Sequence, residues 1–177
     1  MREVTQLTDN RFLNIKIVVD EEHGCAGYQF AERLGKDSVA FICYDKETNM
    51  VLLNNEFKPP IGSYLLSAFG GSLDKASNIG QEEIVRAEVR EEAGFEVTTE
   101  DIVDLGKVFV STQMNQFCSL YLVYVDSKKQ GERHPENKCE SLATTLWHSI
   151  YNQNLFRELE DWKAITIIAK SERMGLL

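Results

Sequence analysis

Prolines are scarce, three in 177 residues with two of them adjacent at Pro59-Pro60, so there is no Pro-rich linker or polyproline recognition segment. No apolar run approaches the ~18 to 20 residues of a membrane helix. The opening residues Met1-Arg2-Glu3-Val4-Thr5-Gln6 lack the apolar core of a signal peptide. No membrane partner is expected, and a cytoplasmic location is. Cys25, Cys43, Cys118 and Cys139 form no C-x-x-C pair and do not cluster with His23, His134 or His148. Buried, reduced thiols are therefore expected, with neither a zinc site nor a disulfide framework. Positive charge is also in deficit: 19 Lys and Arg stand against 28 Asp and Glu, a net charge of −9. That balance argues against nucleic acid as a partner, since phosphate backbones select basic faces. A small anionic ligand stays open, because a bound cation reverses the local sign.

What is present fits one folded domain over residues 1–177. Hydrophobic residues make up 43% and charged residues 27%, ordinary values for a globular chain. Leu13, Ile15, Ile17 and Val19 alternate along a strand from Phe12 to Val19, and a polar turn leads to a second near Tyr28 to Leu34. These form an N-terminal strand pair over 1–36, ahead of a core over 37–177. Strands follow at Val39 to Tyr44, Met50 to Leu53 and Tyr64 to Phe69, the last ending in Gly70-Gly71. Gln81 to Ala93 holds no Gly or Pro and stops at Gly94, which predicts a helix with a left-handed residue after it. Further strands are expected at Leu105 to Val110, Phe117 to Asp126 and Leu142 to Trp147, with a polar loop over Ser127 to Glu140. Helices close the chain near Ser149 to Arg157 and Trp162 to Arg173, the second capped by Asp161. Trp147 and Trp162 are expected in the core.

The chemistry concentrates on the middle helix. At about 100° per residue, Glu88, Glu91 and Glu92 share one arc of it beside an apolar stripe of Val85, Val89 and Ala93. Three carboxylates bordering a core repel one another and resist desolvation unless a cation sits among them. Mg²⁺ answers that need, because it takes carboxylate oxygens and bridges to substrate phosphates. Solvated glutamates on a surface helix are the plain alternative.

The segment GGSLDKASNIGQEEIVRAEVREEAGF resembles the Nudix box, G-x5-E-x7-R-E-U-x-E-E-x-G-U, with U apolar. Residues Glu88 to Phe95 fit its terminal E-U-x-E-E-x-G-U. The pattern's Arg falls on Ala87 and its first Glu on Ile79, and Gly71 to Glu88 spans 17 positions. The resemblance implies a Nudix-type α/β/α sandwich with a mixed sheet and an N-terminal antiparallel strand pair. It also implies hydrolysis of a nucleoside diphosphate derivative with Mg²⁺ or Mn²⁺. Glu88, Glu91, Glu92 and the Gly70 backbone carbonyl would hold the metal, and Glu88 and Glu92 would serve in catalysis. Over most of the chain the sequence is similar to ADP-ribose pyrophosphatases, which implies a homodimer built partly through the N-terminal strands. ADP-ribose or a related nucleotide sugar is then the expected substrate.

The same likeness places Tyr28 and Phe30 in the nucleoside-binding part. It also places Glu56 and Lys58, within Asn55-Glu56-Phe57-Lys58, where the family carries an Arg-rich segment. The resemblance implies that either a box glutamate or a glutamate on the late loop accepts the water's proton. On the loop, Glu132, Glu136 and Glu140 are the candidates, and Glu136 is favoured. The alternative is a Nudix-like module that holds a nucleotide with little or no catalysis.

Overall fold

The computed structural model describes residues 1–35, 37–73 and 79–177. Its strands are β1 (Arg2–Gln6), β2 (Leu13–Asp20), β3 (Cys25–Arg33), β4 (Ser38–Asp45), β5 (Met50–Lys58), β6 (Ser63–Ser67), β7 (Phe69–Ser72), β8 (Ile102–Ser111), β9 (Met114–Tyr124) and β10 (Thr144–Ser149). The helices are α1 (Gln81–Glu88), α2 (Lys138–Leu142), α3 (Leu155–Glu158) and α4 (Trp162–Arg173). The strands join in one mixed sheet along β1-β2-β3-β9-β4-β5-β10, with β6 on β5, β7 on β4 and β8 on β9. Neighbours run antiparallel except β9, which lies parallel to both β3 and β4. This is the α/β fold expected from the resemblance.

Strand β4 shows why helices must cover both faces. Ala40, Ile42 and Tyr44 point into one core with Leu155, Ala164, Ile167 and Ile168 from α3 and α4. Val39, Phe41 and Cys43 point into the other, against Val85, Val89 and Ala93. A central strand buried on both sides reads as a continuous apolar run, and Val39 to Tyr44 does. Among the described residues, no helix is long and apolar enough to cross a membrane.

Three local differences from the sequence reading have physical causes. Arg2–Gln6 forms β1 because its backbone completes a ladder with Lys16 to Asp20, although its own side chains are exposed. The helix expected over Ser149 to Arg157 contracts to α3. The last strand runs through Ser149, and a turn at Tyr151 to Asn154 intervenes. Cys43 and Cys118 are buried as expected, but Cys139 sits exposed on α2.

Candidate active site

Helix α1 ends at Glu88, and the next five residues, Val89–Ala93, form a π turn instead of a further α turn. Gly94 closes it in the left-handed region, φ 77°, donating to the Val89 carbonyl. An i→i+5 turn advances roughly 80° per residue rather than 100°, so the three glutamates fan out from the arc expected of a regular helix. Glu92 turns inward to 7% exposure, while Glu91 lies beside Arg90 at 3.7 Å.

The double glycine explains the packing beneath them. A Cβ on Gly70 would lie 2.7 Å from the Val39 carbonyl oxygen, so β7 approaches β4 too closely for any side chain there. A Cβ on Gly71 would run into the Glu88 side chain, 2.8 Å from Cδ and 2.9 Å from Cγ. The Glu88 carboxylate therefore lies flat over the Gly71 backbone, and only glycine leaves room for it.

Glu92 is the most perturbed acid of the site. Burial pushes its carboxyl up to about 8; the charges of Glu88, Glu140 and Glu56 add to this, while a hydrogen bond from the Gly70 backbone opposes it. Its Oε2 is buried with no hydrogen-bond partner. A carboxylate oxygen shut away from water among other carboxylates is the environment a cation relieves. The residues present thus fit a divalent ion, which Glu92 and Glu88 could hold with oxygen ligands of the kind Mg²⁺ and Mn²⁺ take. The three box carboxylates do not crowd together, however. Among the described residues, Asp20, Glu22 and His23 are the set whose ligand atoms all lie within 4.8 Å. That set is at the tip of the β2–β3 hairpin.

Glu92 lines a cavity of about 440 Å³ together with Asn54, Glu56, Lys58, Gly70 and Gly71. Arg33, Gln116, Trp162 and Lys163 complete its polar wall. Lys58 contacts Glu56 at 2.5 Å. Arg33 donates to Ser72 Oγ at 2.8 Å and has no carboxylate partner among the described residues, so its charge is available to an anion. A larger cavity, about 600 Å³, opens beyond Gly94 and Phe95; Glu92 lines the smaller cavity and not this one, and Glu88 and Glu91 line neither.

The structure sorts the remaining expected site residues. Of the late-loop glutamates it is Glu140 whose charge bears on Glu92. Glu136 is exposed, and its backbone N–H donates to Glu140 Oε2 at 2.8 Å; the favoured position thus positions its neighbour. Tyr28 is 45% exposed and donates to the Thr112 carbonyl at 2.9 Å, whereas Phe30 is buried. Neither lines the cavity that contains Glu92, which β3 reaches only through Arg33 at its end. Trp162, expected in the core, lines that cavity instead, since it is the first residue of α4 and points off the helix end.

Sequence reasoning missed the device that holds the π turn. The segment 130–134 satisfies four successive carbonyls. Gln130 Nε2 donates to Ala93 O at 3.0 Å, Gly131 N to Gly94 O at 2.7 Å, Arg133 Nε to Glu92 O at 2.5 Å and His134 N to Glu91 O at 2.8 Å. Arg133 also reaches Ala143 O at 2.7 Å and Glu140 O at 3.1 Å. One guanidinium thereby ties Glu92 to Glu140, using the planar fork that lysine lacks. Nothing in the sequence marks it, because the bonds go to backbone carbonyls from a polar, charged loop. Arg133→Ala is expected to cost on the order of 3 kcal/mol in urea unfolding, since three part-buried carbonyls lose a charged donor. A loss below about 1 kcal/mol would show the staple to be dispensable.

No family model matches the sequence, and no curated protein matches it. Among solved structures the chain is similar to one described as an ADP compounds hydrolase, with a TM-score of 0.73. The match spans 99% of this chain and 95% of that one at 13% identity. Likeness at that level shows a shared fold.

Proposed function

We propose that this chain is a divalent-cation-dependent hydrolase of the diphosphate bond in nucleoside diphosphate derivatives, ADP-ribose and related nucleotide sugars first among them. The observation that carries the reading is the buried, unpartnered Glu92 oxygen, with Glu88 packed on Gly71 and Glu92 bonded to the Gly70 backbone. The Nudix resemblance of the same residues and the fold shared with a hydrolase of ADP compounds support it.

Hydrolysis of a diphosphate requires its negative charge to be offset, a water aimed at phosphorus and a base for the water's proton. A bound Mg²⁺ or Mn²⁺ supplies charge neutralisation and a more acidic water. Arg33 and Lys58 line the cavity as anion contacts. Glu140 accepts the proton as the water oxygen bonds to phosphorus. The bridging P–O bond breaks, leaving one phosphate on the nucleoside and one on the other half. Glu91 would help hold the cation, since its 3.7 Å contact with Arg90 is loose and half exposed. A second copy of the chain covers the N-terminal strands, where Val4, Phe12, Leu13 and Leu34 are exposed.

The direct test incubates the protein with Mg²⁺ or Mn²⁺ and a panel of ADP-ribose, nucleotide sugars, dinucleotides and nucleoside triphosphates. AMP release from ADP compounds, abolished by a chelator, is expected. Thermal stabilisation by these ligands without product from any of them would replace the hydrolase with a binding module.

A further inference from the structure

We propose that the N-terminal end of α4, through Trp162 and Lys163, joins the buried amide of Asn54 to form a subsite for the sugar-phosphate half of the substrate. The inference rests on the hydrolase reading for the identity of that half, but its geometry stands on residues that reading does not use for chemistry.

The position of the helix end is fixed. Asp161 is buried, and its Oδ2 accepts from Ala164 N at 3.2 Å as the N-cap and from Ala68 N at 2.9 Å. Ala68 is the link between β6 and β7, two residues before Gly70. The start of α4 is therefore bolted to the strand that carries the double glycine, and Trp162 and Lys163 open into the cavity that contains Glu92.

Three chemistries meet there. The first is anion binding. The leading N–H groups of a helix have no intrahelical partner and carry partial positive charge, and α4 is 12 residues long. Lys163 adds an ammonium whose carboxylate contact, Asp161 Oδ1, is 3.4 Å away, leaving donors for a phosphate. The second is an apolar plate. Trp162 is 36% exposed and its indole N–H has no protein acceptor among the described residues, so a ring face and a donor both await a ligand.

The third decides the class. Asn54 is 3% exposed, lines the cavity, and its Oδ1 has no hydrogen-bond partner. An unmet buried acceptor requires a donor. The bridging diphosphate of a nucleoside diphosphate derivative is fully ionised and offers acceptors alone, so it does not itself meet Asn54. A sugar hydroxyl donates. A phosphorylated sugar, with anionic oxygens for Lys163 and the helix end, an apolar ring face for Trp162 and a hydroxyl for Asn54, meets all three.

The test titrates ribose 5-phosphate and, separately, AMP into Mg²⁺-containing protein and follows binding by saturation-transfer NMR. Wild type, Trp162→Ala, Trp162→Phe and Lys163→Met are compared, each checked for an unchanged melting profile. Ribose 5-phosphate is expected to bind wild type and to weaken about tenfold or more in Trp162→Ala and Lys163→Met. Trp162→Phe keeps the aromatic face and should recover most of the loss, and AMP affinity should be unmoved in all four. No ribose 5-phosphate binding by wild type, equal binding across the variants, or equal losses for AMP and ribose 5-phosphate overturns the subsite. Turnover of ADP-ribose by wild type, measured in parallel, judges the hydrolase reading separately. Discriminating binding without turnover removes hydrolysis alone, and turnover with indifferent variants removes the subsite alone.

Discussion

Glu92→Gln is expected to make the metal-free protein more stable and at the same time inert. The Glu92 carboxyl stands at about 8 in the folded chain, against an ordinary 4.5, because burial and the neighbouring Glu88, Glu140 and Glu56 charges disfavour ionisation. With the folded value raised, the native state holds more protons than the unfolded one between those limits. Its stability is therefore intact below about pH 4.5 and is lost as pH climbs through 8. At about 1.4 kcal/mol per pH unit the whole shift amounts to a few kcal/mol. Removing the charge should raise the melting temperature at pH 9 by about 5–10 °C in a chelator. The gain should shrink toward zero near pH 4.5. Added Mg²⁺ should reverse the order, stabilising wild type and not the variant, with turnover down by orders of magnitude in Glu92→Gln. Equal melting curves at pH 9, or near-wild-type turnover, would contradict the account.

Gly71→Ala carries the second large effect, and it acts at a distance of one side chain. The new methyl occupies the space of the Glu88 carboxylate, and the flexible end of Glu88 is what can move. Misplacing a ligand by about 1 Å at such a site costs on the order of a hundredfold in rate. The strand itself loses little, because the clash is with a side chain and not with backbone. Gly71→Ala should therefore reduce turnover about a hundredfold while the melting temperature of metal-free protein stays within a few degrees. Gly70→Ala is the contrasting case, since its methyl meets the fixed Val39 carbonyl. That variant should lose fold stability along with activity. If Gly71→Ala keeps wild-type turnover, Glu88 does not need its seat on the glycine.

Much of this was legible in the chain. The doubly buried run Val39 to Tyr44, the double glycine after a strand and the acidic helix stopping at Gly94 each announced a local necessity, and each is present. Trp162–Arg173 begins and ends where its cap and composition placed it. What escaped was set by contacts distant in sequence. The π turn follows from carbonyls claimed by residues 130–134, roughly forty positions later. Glu140 rather than Glu136 faces Glu92 because Asn137 caps α2, donating to the Glu140 carboxylate and accepting from its backbone N–H. Trp162 looked like a core residue by type, yet a first-turn position whose N-cap is anchored at Ala68 leaves it at a cavity mouth. Arg33 gave no signal at all, since a lone arginine at a strand end is indistinguishable from a solvated one until its surroundings are seen.

The most direct measurement is a Mn²⁺ titration followed by electron paramagnetic resonance, on wild type and on a Glu88→Gln/Glu92→Gln double variant, at pH 8 without nucleotide. Wild type should deplete the signal of free Mn²⁺ while the folded double variant leaves it unchanged. Equal depletion by both proteins would place the cation elsewhere and undo the proposed chemistry.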